Sequence, residues 1–221
     1  MSYRLFLLAA VIYSFFVNLR ILPFRQAIKV PILCAPGFKI HKCKNSKINI
    51  LSHIHFGMIK FGFKGAETVL PAQKGCFVLG QNSTVNFYDA IILSSGTVCR
   101  IDDNASMRFG NGFSCNNGCF IRSSCSIIFG HGVLIGWNVS INTSDGHKIF
   151  KDGTKQPIDG KIIIGNHVWI ASYSSIGKNS EIGDNCIVGQ KSLVNKKFTD
   201  SNCLICGIPA KIARTNIDWQ F

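Results

Sequence analysis

Residues 164–198 read I-G-N-H-V-W, I-A-S-Y-S-S, I-G-K-N-S-E, I-G-D-N-C-I, V-G-Q-K-S-L, V-N-K-K-F, with an aliphatic side chain at Ile164, Ile170, Ile176, Ile182, Val188 and Val194. A period of six fits neither the 3.6 of an α-helix nor an unbroken two-residue alternation, so the chain must turn at regular intervals. The residue after each aliphatic is Gly165, Ala171, Gly177, Gly183, Gly189 or Asn195. All are small or tolerate positive φ, and a tight turn is expected there. Four places after the aliphatic stand Val168, Ser174, Ser180, Cys186 and Ser192, small side chains suited to a narrow interior. Each six is read as one short strand and one turn, and three sixes close a triangular coil. This is the pattern of an all-β solenoid, the left-handed parallel β-helix, an exception to the usual right-handed crossover.

Upstream, Phe129, Ile135 and Ile141 continue the period, and its next step falls on His147. Lys148–Gly160, KIFKDGTKQPIDG, is too polar for a core strand, and Ile141 to Ile164 spans 23 residues, a coil plus about five. A loop over 142–161 is therefore expected to leave the coil, and function is expected where a sequence breaks its own rule. From Ile48 to Arg122 the text is β-like but irregular. Phe61-Gly62 and Leu79-Gly80 lie 18 apart, Phe109-Gly110 and Phe129-Gly130 lie 20 apart, and both spacings are read as degenerate coils. The expected organisation is an N-terminal segment over 1–47, the β-helix over 48–207 and a tail over 208–221.

Leu5–Val17, LFLLAAVIYSFFV, is apolar but shorter than the roughly 20 residues of a spanning helix. Arg4 before the run suits a signal peptide, yet no small-x-small cleavage site follows. The reading preferred is a short helix on the cytoplasmic face of the inner membrane, helped by Arg20, Arg25, Lys29, Lys39, Lys42, Lys44 and Lys47. The competing reading packs it on the coil or on a neighbouring subunit.

The 221 residues, 47% hydrophobic with 21 glycines, fit one turn-rich domain. A formal charge of +13, from 24 Lys and Arg against 11 Asp and Glu, points to an anionic partner such as a phosphorylated cofactor or a lipid surface. The basic residues are scattered, and no recognition helix, RNP motif or zinc-finger spacing occurs, so nucleic acid is not expected. Of the ten cysteines, Cys203-x-x-Cys206 lacks a second pair, and Cys115, Cys119 and Cys125 form no ligand pattern. They are read as buried reduced thiols. His131, His147 and His167 are the candidates for a three-histidine zinc site, but the D-G-H context of His147 argues against one and no metal is expected.

TSDGHKIF (143–150), the run from Ile162 to Lys196 and GIPAKIAR (207–214) together resemble the hexapeptide-repeat O-acetyltransferases, most closely those of bacterial capsule, lipopolysaccharide and sialic acid. The resemblance covers the last 95 or so residues strongly and the rest weakly. It implies a cytoplasmic homotrimer that moves acetyl from acetyl-CoA to a sugar hydroxyl of a surface polysaccharide or its lipid-linked precursor. His147 matches the family's catalytic histidine, and a neutral imidazole can take the hydroxyl proton and pass it to the departing thiolate. Asp145 either orients that imidazole or forms an Asx turn. Trp169 precedes the inward Ile170, so alternation points its indole outward, and the resemblance gives it a place beside the thioester sulfur, against the alternative of a subunit-interface anchor.

The family's acetyl-CoA contacts map onto Ser172, Gln190, Asn195, Lys196, Lys211 and Arg214. Amides near Ser172 and Gln190 would meet the pantetheine, and Lys196, Lys211 and Arg214 the phosphates. Ala171 and Gly189-Gln190-Lys191-Ser192 depart from the family's usual smaller residues. A covalent route through Ser144 or a cysteine lacks a motif-paired base. Two other readings stand beside this one: acylation of a small free or nucleotide-linked sugar or amine, and a non-catalytic trimeric scaffold.

Overall fold

The computed structural model describes residues 3–63 and 74–220. Helices α1 (Tyr3–Ile21) and α2 (Phe24–Ala27) lead into β1 (Ile32–Cys34), β2 (Lys39–Lys42) and β3 (Lys47–Ile50), one strand on each face of a three-sided coil. Later strands stack on these in parallel, giving faces of nine, seven and seven strands. Among the described residues this makes seven complete turns of a parallel β-helix, plus a final strand, Leu204–Gly207, folded back as a hairpin with Ala210–Arg214.

The sixes fall where the period puts them. Ile164 pairs with Ile182, Ile170 with Val188 and Ile176 with Val194, each partner 18 residues on and on the next coil. Their side chains are buried, and so are Val168, Ser174, Ser180, Cys186 and Ser192 at the corners. The serines are bonded as well as small: Ser174 Oγ donates to Gly189 O (2.9 Å) and Ser180 Oγ to Val194 O (3.0 Å).

The glycines have a different cause from the one expected. Positive φ falls three places after the aliphatic, on His167, Tyr173, Asn179, Asn185 and Lys191, whereas Gly165, Gly183 and Gly189 lie outside the left-handed region. What these glycines supply is clearance between coils. A Cβ on Gly183 would sit 2.5 Å from Asp200 O, and one on Gly189 2.8 Å from Cys206 Cβ.

In the first half, the interior is aromatic. Phe87, Phe109 and Phe129 occupy one face on successive coils and stack with centroids 5.5 and 5.3 Å apart. The 20-residue spacing of Phe109 and Phe129 is one coil, as read. The 18-residue spacing of Phe61 and Leu79 is not: Phe61 pairs with Leu93 on the first face and Leu79 with Ile101 on the second. An insertion between them, mostly outside the described residues, reproduces a coil length by coincidence.

The boundaries also differ from the expected ones. Strands begin at Ile32, so 32–47 joins the solenoid, and 210–214 of the expected tail is strand. Helix α1 extends past the apolar run to 19 residues and packs on β1. Among the described residues all ten cysteines are free, with Cys34, Cys99, Cys115, Cys119, Cys186 and Cys203 buried. Burial pushes the Cys34 thiol up to about 12.

If clearance rather than φ explains the corner glycines, Gly183→Ala and Gly177→Ala should behave differently in denaturant unfolding. A Cβ on Gly177 meets nothing nearer than 3.6 Å. Gly183→Ala should lose about 1–3 kcal/mol through overpacking against backbone, and Gly177→Ala should be neutral or gain about 0.5 kcal/mol through a stiffer unfolded chain. Equal losses would contradict the explanation.

Candidate active site

The expected loop is an ordered arm leaving the corner between the second and third faces. Its stem is closed by the Ser144–Asp159 bridge, by Gly160 N donating to Thr143 O (2.9 Å) and by Asp145 N donating to Ile158 O (3.1 Å). Farther out, Phe150–Lys151 pairs antiparallel with Thr154–Lys155. Gly146, at φ +77° with open space around it, turns the chain toward His147. His147 is exposed, and its side chain makes no hydrogen bond among the described residues.

Asp145 does not orient the imidazole here. Its Oδ2 lies 2.5 Å from Lys178 Nζ, with both side chains partly exposed, and the same ammonium donates to Pro157 O. Lys178 sits on the same corner one coil below, so this pair clamps the arm to the solenoid. Gly177 N donates to Val194 O (2.8 Å), which places Asn195 and Lys196 on that corner one coil further. Both are exposed, and the Lys196 ammonium lies 5.2 Å from the Phe198 ring centroid. The arm bearing His147, Asn195 and Lys196 thus share one edge of the prism.

Trp169, Ser172, Gln190 and Lys211 occupy another part of the surface. Trp169 is outward on the first face and 36% exposed, between Leu134 and Ile187. Ser172 and Gln190 stack at the corner between the first and second faces, linked by Lys191 N donating to Ser172 O (3.1 Å). The Ser172 hydroxyl is already used there, accepting from Trp137 N at 3.0 Å. Gln190 is exposed. The terminal hairpin puts Lys211 near this corner and Arg214, opposite Leu204, at the far end of the same strand pair. Since His147 lies two residues from the clamped Asp145, at most about 7 Å of chain, it stays at its own edge. Within one chain the structure does not bring it to Trp169.

Two tryptophans were missed by the sequence reading. Trp137 stands at the Ser172 corner with its indole N–H buried and without a hydrogen-bond partner among the described residues. Trp219 folds back from the C-terminal end, stacks on His167 at 4.2 Å and 5°, donates from Nε1 to His167 O (3.0 Å) and lies 6.1 Å from the Trp169 ring. No local spacing announces either contact. His131 and His167 share the corner between the third and first faces, where His167 N donates to His131 O (2.7 Å), so the three candidate zinc histidines do not converge within a chain. Among the described residues no group of three or more His, Cys, Asp or Glu is placed to hold a metal ion.

Comparison with known proteins places this architecture. The bacterial transferase hexapeptide family (six repeats) matches residues 161–196. A Klebsiella pneumoniae protein named "Uncharacterized 24.8 kDa protein in cps region" is 30% identical over 207 residues, 91% of this chain and 86% of its own length. The chain belongs to the hexapeptide-repeat acetyltransferases. It is also 45% identical over 101 residues to the polysialic acid O-acetyltransferase of Escherichia coli O1:K1 / APEC, a match over 45% of this chain and 33% of that enzyme. A polysialic acid O-acetyltransferase solved by crystallography shares the fold with a TM-score of 0.54 at 21% identity, over 86% of this chain and 90% of the other.

In this hexapeptide-repeat chain the clamp can be tested without any assay of activity. Lys178→Ala should lower the hydrogen-exchange protection of 144–159 by roughly fivefold, the worth of about 1 kcal/mol in a partly screened ion pair. Protection in the coil strands should be unchanged. An arm equally protected in the variant would show that Lys178 does not hold it.

Proposed function

We propose that the protein is an acetyl-CoA-dependent O-acetyltransferase acting on a sugar hydroxyl of a capsule-type surface polysaccharide or its lipid-linked precursor. The observation that carries this reading is the arm at residue 147: it leaves the regular part of the repeat, and its exposed histidine stands two residues from Asp145, which is clamped to the edge that also carries Asn195 and Lys196. The relatives named above support the acceptor class, through a capsule-region protein and an enzyme of polysialic acid acetylation.

The residues fit an acetyl-CoA substrate. Lys196, Lys211 and Arg214 are exposed cations suited to phosphates. The Trp137 N–H is a buried donor awaiting an acceptor beside Ser172. Ser172, whose hydroxyl and carbonyl both serve the corner, and Gln190 would contribute through the backbone edge that they shape. In this mechanism His147 takes the proton of the acceptor hydroxyl as its oxygen attacks the acetyl carbon, and returns that proton to the sulfur as the carbon–sulfur bond breaks. The Trp169 indole N–H stabilises charge building on that sulfur. Asp145 acts through Lys178, fixing where His147 stands.

His147 stands at one edge of the prism and Trp169 on the opposite face, so the reading requires a second copy. In a cyclic homotrimer with parallel coil axes, the arm edge of one subunit faces the Trp169, Ser172 and Gln190 side of the next. The exposed apolar pair Ile149 and Phe150 on the arm supports such a neighbour.

The test is release of free thiol from acetyl-CoA with capsule-type polysaccharides and lipid-linked saccharides as acceptors. Acceptor-dependent release should fall at least 100-fold in His147→Ala, within the usual range for general-base loss, with acetyl-CoA affinity retained. Equal rates in both proteins would remove His147 from the mechanism. Absence of acetyl-CoA binding in both would overturn the reading.

A further inference from the structure

Helix α1 is built inside out. Its inward stripe, Ala10, Ser14, Val17, Asn18 and Ile21, recurs at helical spacing, and its two polar members are fully buried. They do the work of a missing strand. The Ile32 and Cys34 amides of β1, which point away from the next coil, donate to Asn18 Oδ1 (3.2 Å) and Ser14 Oγ (2.8 Å). Asn18 Nδ2 donates to Ile32 O (2.7 Å), and the Tyr13 hydroxyl donates to Phe38 O (2.8 Å). The free edge of β1, which would otherwise template aggregation, is thereby capped.

The outward stripe is the reverse of what water favours. Leu8, Ile12 and Phe16 are 58%, 53% and 64% exposed, and Phe24 of α2 adds a 70% exposed ring. The surrounding charge has one sign. Residues 1–60 contain nine Lys and Arg and no Asp or Glu, although the whole chain has 11 acidic residues. Beside the C-terminal end of α1, an open hollow of about 440 Å³ is lined by Arg20, His41, Lys42, Cys43 and Lys44.

We infer that this end of the molecule is a docking surface for an anionic lipid bilayer. Leu8, Ile12, Phe16 and Phe24 enter the headgroup boundary, and the Arg20–Lys44 hollow receives lipid phosphate. The charge decides among occupants: a second copy would bring the same unbalanced cations face to face, whereas an anionic membrane neutralises them. The helix has the length and composition to cross a membrane, but crossing would strip β1 of its Ser14 and Asn18 bonds, so the arrangement is peripheral. The inference does not depend on the proposed acetyl transfer. A parallel trimer would present three such caps at one end.

Co-sedimentation of the full chain with phosphatidylcholine vesicles, with and without about 30% phosphatidylglycerol, tests this. The protein should pellet with anionic vesicles, far less with neutral ones, and less as salt rises toward about 0.5 M. The exposed-site variant Ile12→Glu/Phe16→Glu should partition at least about tenfold less with an unchanged thermal unfolding midpoint. Lys42→Glu/Lys44→Glu should lose the preference for anionic vesicles. Wild type that pellets with neither vesicle, or variants that pellet as well as wild type, would overturn the inference. So would self-association without vesicle binding that disappears in Phe16→Glu, which would give the face to a second copy. Resistance to carbonate extraction would overturn peripheral docking in favour of a spanning helix.

Discussion

Parallel strands must lie about 4.8 Å apart to hydrogen-bond, and in this solenoid that spacing is also the rise of each coil. Every other feature follows from it. With coils so close, a side chain at a tight corner has no room on its axial side, which is why Gly183 and Gly189 stand against Asp200 O and Cys206 Cβ. The interior is a narrow triangle, so corners take Ser174, Ser180 and Cys186, and faces take one or two inward residues each. The terminal edges have the same unmet hydrogen bonds as any sheet edge. On the first face one is met by Ser14 and Asn18 of a helix, the other by the Ala210–Arg214 strand.

A stack this constrained changes function by insertion at corners, because a corner can extrude a segment without disturbing the ladder. The arm over 143–160 is such an insertion, and its Asp145–Lys178 clamp converts a loop into a positioned element. The three-sided geometry also divides function in space. Residues on one face and on the opposite edge cannot meet in one chain, so a site using both His147 and Trp169 is a property of an assembly.

The later coils were legible because aliphatics at a strict interval of six have no other physical reading. The earlier coils were less so. Their inward residues are mixed, Phe87 and Phe109 beside Val85 and Met107, and Ile91 to Phe113 takes 22 residues rather than 18. An insertion after Phe61 then mimicked a coil where none lies. Motif order named the candidate site residues, but nothing in it named their partners. Nothing in sequence relates Asp145 to Lys178 across 33 positions, or Trp219 to His167 across 52, since each pair is made by the stacking itself. The helix shows the same limit: its apolar run was plain, but the use of Ser14 and Asn18 to cap a strand edge was visible only once β1 was in place.

The central claim is that catalysis needs the His147 edge of one subunit and the Trp169 side of its neighbour. Mixed assemblies of His147→Ala and Trp169→Ala subunits, refolded or co-expressed together, test it most directly. Each variant alone should be nearly inactive in acceptor-dependent transfer. Random equal mixing in a cyclic trimer should restore about one quarter of wild-type activity, because one site in four then pairs an intact histidine with an intact tryptophan. Mixtures no more active than the two separate variants would contradict a shared site.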